Sequence, residues 1–141
     1  MTHTVAMAVR SSPPGYTALV PKLRVLICDD AVLYATLISH WFKDDPDIEV
    51  VGRTATAREA LALGPGLRPD VVVLDHMLPD GMSAEAAPRL RACLPGVAIV
   101  RVSGLMEDAL QEAATAIGAQ AAVSKASTRA ALRTAILSGV G

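Results

Sequence analysis

The sequence of 141 residues contains few aromatic residues, one Trp, two Tyr and one Phe, although 52% of it is hydrophobic. It also has no excess of either charge, since 13 basic and 14 acidic residues leave a formal net charge of -1. A chain with this balance lacks a basic surface for nucleic acid or for an anionic membrane, so we expect no direct contact with either. The apolar residues are mostly Ala, Val and Leu, whose small side chains suit close packing of helices on a sheet.

Cysteines and long apolar runs are also scarce. Cys28 and Cys93 are too few and too far apart for a disulfide framework or a zinc cluster, so we interpret both as small buried hydrophobic residues in a reducing compartment. The longest apolar runs are far shorter than a membrane span. Residues 1–10 lack the apolar core of a signal peptide, because Arg10 ends the apolar segment. These absences predict a soluble, cytoplasmic protein.

The chain after residue 22 repeats a strand followed by a helix five times. The predicted strands are short, apolar and bounded by turn-forming residues, and the segments between them have apolar residues at helical spacing. Strands are predicted at 23–28, 48–52, 71–74, 97–102 and 121–123, and helices at 31–44, 57–63, 83–93, 107–117 and after Ser127. Thr56 and Ser127 are predicted N-caps, and the Gly-Pro-Gly sequence at 64–66 is predicted to end the second helix.

This alternation predicts right-handed crossovers and a parallel sheet with helices on both faces. A closed barrel needs about 250 residues, far more than residues 23–140 supply. The predicted fold class is therefore α/β, a single doubly wound five-stranded parallel sheet of flavodoxin-like order, (βα)5. Residues 1–22 are predicted to be an N-terminal extension outside the core, and 23–140 one domain.

Polar residues follow four of the predicted strands. Asp75 ends the fully apolar third strand, and the other ends carry Asp29 and Asp30, Ser103, and Lys125. In an open parallel sheet, ligands bind beyond the carboxyl ends of the strands. Each residue alone has a structural explanation, such as capping a loop or a helix. Their occurrence together at one edge favours a site.

Three clustered carboxylates would repel one another unless a cation or a proton neutralised them. Mg2+ suits such a cluster because it prefers oxygen ligands and tolerates one or two carboxylates with water and phosphate. A lysine and a hydroxyl beside them could contact phosphate oxygens. A carboxylate nucleophile, a metal, a lysine and a hydroxyl together indicate formation of an aspartyl phosphate.

The sequence resembles the response-regulator receiver domains of bacterial two-component signalling over about residues 22–140. The matching motifs are VLICDD at 25–30, DVVVLD at 70–75 with LPDG at 78–81, VSG at 102–104, GA at 118–119 and VSK at 123–125. Residues 44–52 and 58–61 resemble the LuxR/NarL-type subgroup, whose members usually carry a C-terminal helix-turn-helix.

The resemblance implies that Asp75 accepts a phosphoryl group from a sensor histidine kinase, with Ser103 and Lys125 contacting the phosphoryl oxygens. The domain would be a signalling phosphoacceptor, not an enzyme, apart from its self-catalysed phosphotransfer and dephosphorylation. It would regulate an output, with transcription expected, through a partner, a homodimer or an effector beyond Gly141.

The resemblance also implies the metal ligands. Asp30, Asp75 and the backbone carbonyl of Met77 would ligate Mg2+, and Asp29 would act through water. The sequence departs from the family at Ala122, where members often have an aromatic residue that swings inward as a switch. Ala122 has no ring, which calls that switch into question.

Three other functions compete with this interpretation. A phosphatase of the haloacid dehalogenase type needs a second Asp two residues after the nucleophile, and Met77 stands there. A receiver-like protein-interaction module that is never phosphorylated is favoured by Ala122 and opposed by the intact acidic residues and Lys125. A flavin-binding protein needs a phosphate-cradling loop after the first strand, where Asp29 and Asp30 would repel phosphate.

Two apolar features lead to further predictions. Tyr34, Ile38 and Trp41 share one face of the first helix and could supply its core contact. Leu33 and Leu37 form a second apolar stripe, which either packs under the sheet or docks a partner or a second copy. Met77 and Leu105 are predicted to overlook the path of a hydrolytic water, where their apolar side chains would shield an acyl phosphate and prolong its lifetime.

Overall fold

The computed structural model describes residues 21–104 and 121–138. The elements in chain order are β1 Leu23–Cys28, α1 Val32–Trp41, β2 Ile48–Thr54, α2 Ala57–Leu67, β3 Val71–Asp75, β4 Met77–Leu78, β5 Gly81–Met82, α3 Ser83–Cys93, β6 Ala98–Ser103, β7 Ala121–Ser124 and α4 Arg129–Ser138. The predicted helix at 107–117 and residues 1–20 of the predicted extension lie outside the described residues.

Five of these strands form one parallel sheet in the order β2-β1-β3-β6-β7. This arrangement confirms the predicted doubly wound fold. The central strand β3 is buried along its whole length, which explains why its sequence is a continuous apolar run without alternation. The short strands β4 and β5 form a separate antiparallel ribbon in the loop after β3.

Successive side chains of each strand point to opposite faces of the sheet, so the protein has two apolar cores. Val25 and Ile27 of β1 pack with α1 and α4 on one face. Leu26 and Cys28 pack with α2 and α3 on the other. Full burial of one such aliphatic side chain contributes about 1.5–3 kcal/mol, so these two layers hold the strand ends in place.

The two cysteines differ in exposure. Both are free thiols, but Cys28 is buried and Cys93 is exposed. The prediction of a buried hydrophobic residue is confirmed for Cys28 and wrong for Cys93, because Cys93 is the last residue of α3 and lies beyond the side of that helix that packs on the sheet.

The second helix does not end at 64–66 as predicted. It continues through Pro65 to Leu67, and Arg68 then ends it in a left-handed conformation with a φ of 51°. A Cβ on Gly64 would lie 3.2 Å from Leu94 Cδ1, so the missing side chain allows α2 to approach this neighbour. The glycine therefore serves helix packing and does not end the helix.

The last helix begins one residue later than predicted. Its first turn is capped by Thr128, whose Oγ1 accepts a hydrogen bond from the Ala131 N–H at 3.2 Å. Ser127 instead donates its N–H to the Ser124 carbonyl in the preceding turn, at 2.9 Å. In contrast, the predicted cap of α2 is confirmed, because Thr56 Oγ1 accepts from the Glu59 N–H at 3.1 Å.

An ion-pair network joins α4 to the loop between α1 and β2. The Asp45 carboxylate, with no exposed side-chain area, accepts from Arg133 Nε at 2.8 Å and Arg129 Nη2 at 3.2 Å. The pKa of Asp45 is lowered, chiefly by the hydrogen bond from Arg133. The turn that buries Asp45 ends α1 at Trp41, earlier than the predicted residue 44.

Candidate acidic site at the carboxyl edge of the sheet

Three carboxylates meet where β1 and β3 end. These strands are neighbours in register, with Cys28 opposite Leu74, so the residues that follow them are adjacent in space. One carboxylate oxygen from each of Asp29, Asp30 and Asp75 lies within 4.8 Å of the others. Asp29 and Asp75 are buried, whereas Asp30 is exposed. The fold thus brings together the three acidic residues that the sequence singled out.

Lys125 lies between two of these carboxylates. Its Nζ is 2.8 Å from Asp29 Oδ2 and 3.2 Å from Asp75 Oδ1, and it stands 5.0 Å from the centroid of the Tyr34 ring. The Lys125 N–H also donates to the Ser103 carbonyl at 2.8 Å. The end of β7 therefore delivers a cation into the acidic cluster, where it partly balances the charge.

The positive charge of Lys125 does not fully offset the effects that disfavour the ionised form of Asp75. Burial, followed by the charge of Asp29, raises the pKa of Asp75 from 3.8 to about 6, although Lys125 opposes the change. Burial alone would lower the pKa of Lys125, but its hydrogen bond to Asp29 and the nearby negative charges raise it. The site has a deficit of positive charge that a metal ion could fill.

The backbone holds Asp29 in a fixed orientation. Its Oδ1 accepts a hydrogen bond from the Ala31 N–H at 2.8 Å, and its Oδ2 faces Lys125. Ser103 is buried at the end of β6, the strand beside β3. Met77 lies in β4 with 60% of its surface exposed. Leu105, the second residue predicted to shield the site, lies outside the described residues.

The loop after Asp75 is anchored at its far end. Both carboxylate oxygens of Asp80 accept backbone hydrogen bonds at 2.9 Å, from the N–H groups of Ala57 and Arg58 at the start of α2. These hydrogen bonds lower the pKa of Asp80, as expected for a carboxylate at a helix N-terminus. This role of Asp80 was not predicted from the sequence.

Sequence reasoning also missed a buried arginine behind the site. Arg101, in the middle of β6, has 0% of its surface exposed. Its Nε donates to Ser83 Oγ at 2.9 Å and its Nη2 donates to His76 Nδ1. The sequence does contain one indication of this role, because Arg101 is a charged residue inside an otherwise apolar predicted strand.

Three large apolar side chains of α1 are exposed. We call Val32, Leu33 and Leu37 the α1 patch; they are 70%, 86% and 41% exposed. The opposite side of the helix, with Ile38 fully buried and Tyr34 partly buried, packs into the core. Leu33 and Leu37 therefore do not pack under the sheet, and docking at these residues stays a prediction.

A family model described as the response regulator receiver domain matches residues 25–137. The chain belongs to the response-regulator receiver domain family. The predicted resemblance is confirmed, and the alternatives of a dehalogenase-type phosphatase and a flavin-binding protein lose their basis.

Two curated relatives show the range of proteins that contain this domain. A protein-glutamate methylesterase/protein-glutamine glutaminase of Nocardioides sp. is 39% identical over 101 residues, which cover 72% of this chain and 28% of that protein. The response regulator protein VraR of Staphylococcus aureus is 31% identical over 86 residues, covering 61% of this chain and 41% of VraR. The receiver domain thus spans less than half the length of these relatives.

Solved structures agree with the observed fold. The signal receiver domain of the response regulator NarL from Mycobacterium tuberculosis has a TM-score of 0.75 and 28% identity, with coverage of 83% of this chain and 94% of that one. A two-component response regulator of the LuxR family from Aurantimonas sp. has the same TM-score and identity, with 84% of each chain covered. Among the described residues, none of the helices combines the length and apolar character needed to span a membrane.

Proposed function

We propose that this receiver domain is switched by phosphorylation of Asp75, with a sensor histidine kinase as the phosphoryl donor and Mg2+ as the cofactor. The observation that carries the proposal is the arrangement of Asp75 beside Asp29, Asp30 and Lys125. It supplies a nucleophile, a candidate metal site and a cation at one edge of the sheet. Residues 23–140 would form the whole receiver unit.

The donor set fits Mg2+, because the clustered ligands are all carboxylate oxygens and together carry more negative charge than Lys125 balances. Asp30, Asp75 and the Met77 carbonyl would hold the ion, with Asp29 acting through water. The bound ion would supply positive charge that offsets the negative charge of the reacting phosphoryl group.

The side chains of the protein would carry out the phosphoryl transfer itself. An oxygen of ionised Asp75 attacks the phosphorus, the bond from phosphorus to the kinase histidine nitrogen breaks, and an acyl phosphate forms on Asp75. Lys125, already 3.2 Å from Asp75 Oδ1, would turn from the carboxylate to the phosphoryl oxygens. The Ser103 hydroxyl would donate to another of these oxygens. The domain would turn over no separate substrate.

The kinase would dock on the α1 patch, because this apolar surface begins three residues after Asp29 on a helix that leaves the site. The output would pass through a partner, a second copy or an effector domain, with transcription as the expected process. Free Cys28 and Cys93 suit a reducing compartment, and we infer that the reaction occurs in the cytoplasm.

Incubation with acetyl phosphate and Mg2+, followed by intact-mass measurement, tests the proposal. Wild type and the control Asp44→Asn, which changes an exposed remote aspartate, should gain one phosphoryl group. Asp75→Asn should gain none. An unmodified wild type, or phosphorylation that persists in Asp75→Asn, would contradict the proposal, and an unmodified wild type would favour the protein-interaction module.

A further inference from the structure

The most unusual buried group in the protein is the Arg101 guanidinium. It lies at 0% exposure in a strand with neighbours on both sides. A buried charge is costly unless it is paired and fully hydrogen-bonded. Within the described parts of the chain, both of its hydrogen-bond acceptors are neutral, the hydroxyl of Ser83 and a ring nitrogen of His76.

Asp75, the proposed acceptor, supplies a negative charge that acts on Arg101. Burial lowers the pKa of the guanidinium, and the charge of Asp75 opposes that change. Arg101 is opposite Leu74 in the sheet register, one residue before Asp75. Among the described residues, Asp75 is the acidic side chain whose charge acts on this buried cation, and phosphorylation would change that charge.

Arg101 also connects the acceptor loop to α3. His76 directly follows Asp75, and Ser83 is the first residue of α3. The Ser83 N–H donates to the His76 carbonyl at 2.9 Å, so the backbone and the Arg101 side chain join the same two residues. Movement of the guanidinium would therefore affect both the loop after Asp75 and the first turn of α3.

The surroundings of Arg101 allow it to change partners. Its Nη1 has no hydrogen-bond acceptor within 21–104 and 121–138, so the two N–H groups of this nitrogen can donate to a new acceptor. On the β7 side, Arg101 stands opposite Ala122, and residues in register on parallel strands share a face of the sheet. The smallest side chain after glycine therefore flanks the guanidinium on that side.

We propose that Arg101 senses the phosphorylation state of Asp75 and transmits it to α3. The added negative charge of a phosphoryl group draws the guanidinium away from His76 and Ser83, which loosens the first turn of α3. This inference rests on the proposed function. Since coupling between two sites is reciprocal, Arg101 must also strengthen binding of a phosphoryl group or its analogue at Asp75.

The test compares wild type, Arg101→Met and the control Arg89→Met, which makes the same exchange at an exposed position of α3. BeF3- is titrated at fixed Mg2+, and amide hydrogen exchange of residues 83–87 is measured with and without it. Arg101→Met should bind BeF3- at least about fivefold more weakly, the lower end of usual coupling, and its exchange in α3 should no longer respond. Arg89→Met should match wild type in both measurements.

Binding of BeF3- by Arg101→Met within about twofold of wild type, together with an intact exchange response, would overturn this inference alone. Failure of wild type to bind BeF3- would overturn the proposed function and the inference with it. If Arg101→Met does not fold, Ser83→Ala replaces it, because this variant keeps the cation and removes only its contact with α3. Ser83→Ala should bind BeF3- at least as tightly as wild type, because the guanidinium no longer has to leave this hydroxyl, and it should show a reduced exchange response. A wild-type exchange response would overturn the inference.

Discussion

Replacing Asp75 with asparagine should stabilise the metal-free protein at neutral pH. The folded state raises the pKa of Asp75 from 3.8 to about 6, so it binds the proton more tightly than the unfolded state does. The stability associated with this proton is fully present below about pH 4 and is lost as the pH rises to about 6. The loss corresponds to about 3 kcal/mol at 1.36 kcal/mol per pH unit.

Asparagine has nearly the same shape as aspartate but carries no charge. In Asp75→Asn, Lys125 loses one contact at 3.2 Å but keeps Asp29 at 2.8 Å. The removal of charge should therefore outweigh the lost contact, and we expect a net gain in unfolding free energy of about 2 kcal/mol. In urea unfolding, with a slope of about 2 kcal/mol per molar, the midpoint should rise by about 1 M.

The experiment requires a chelator and two pH values, because Mg2+ would supply the missing charge. The gain in Asp75→Asn should be present near pH 7.5 and should largely vanish near pH 4, where wild-type Asp75 is protonated in the folded state. Asp44→Asn should show no such pH-dependent gain. A variant less stable than wild type near pH 7.5, or one whose advantage is equal at both pH values, would refute the argument.

Three further outcomes are expected. Saturating Mg2+ should raise the melting temperature of wild type and should raise that of Asp30→Ala much less. The absence of a shift in wild type would contradict the proposed metal site. Met77→Asn should accelerate loss of label from phosphorylated Asp75 several-fold, about 1 kcal/mol in barrier, and unchanged decay would count against apolar shielding. Leu37→Glu should weaken self-association or kinase docking measured by sedimentation, whereas Leu63→Glu, at another exposed leucine, should not; equal behaviour of both would disprove docking at the α1 patch.

The features that could be predicted from the sequence depend on neighbours in the chain. A continuous apolar run such as 71–74 predicts a strand buried on both faces, and the structure has β3 there. The ends of parallel strands meet at one edge, so residues such as Asp29 and Asp75 could be expected to lie together. Local patterns also predicted the Thr56 cap, because its partner Glu59 is only three residues away.

The features that were missed depend on contacts between distant segments. Gly64 alone predicts the end of a helix, and only its packing against Leu94 explains why the helix continues through it. Arg101 contacts Ser83 and His76, which are 18 and 25 residues away. Local composition carries no information about such partners, which exist only after the helices have packed on the sheet.

The anchored loop after Asp75 constrains how this gene can vary. Asp75 is fixed by the end of β3, and Asp80 is fixed by two hydrogen bonds to the start of α2. Gly81 then adopts a φ of 147°, and a Cβ there would lie 2.9 Å from Glu85 Oε1. Substitutions at the exposed Met77 leave the spacing unchanged, but insertion or deletion of a single codon between 76 and 80 would displace Asp80 from α2. Length variation in this stretch should therefore be selected against more strongly than changes in residue type.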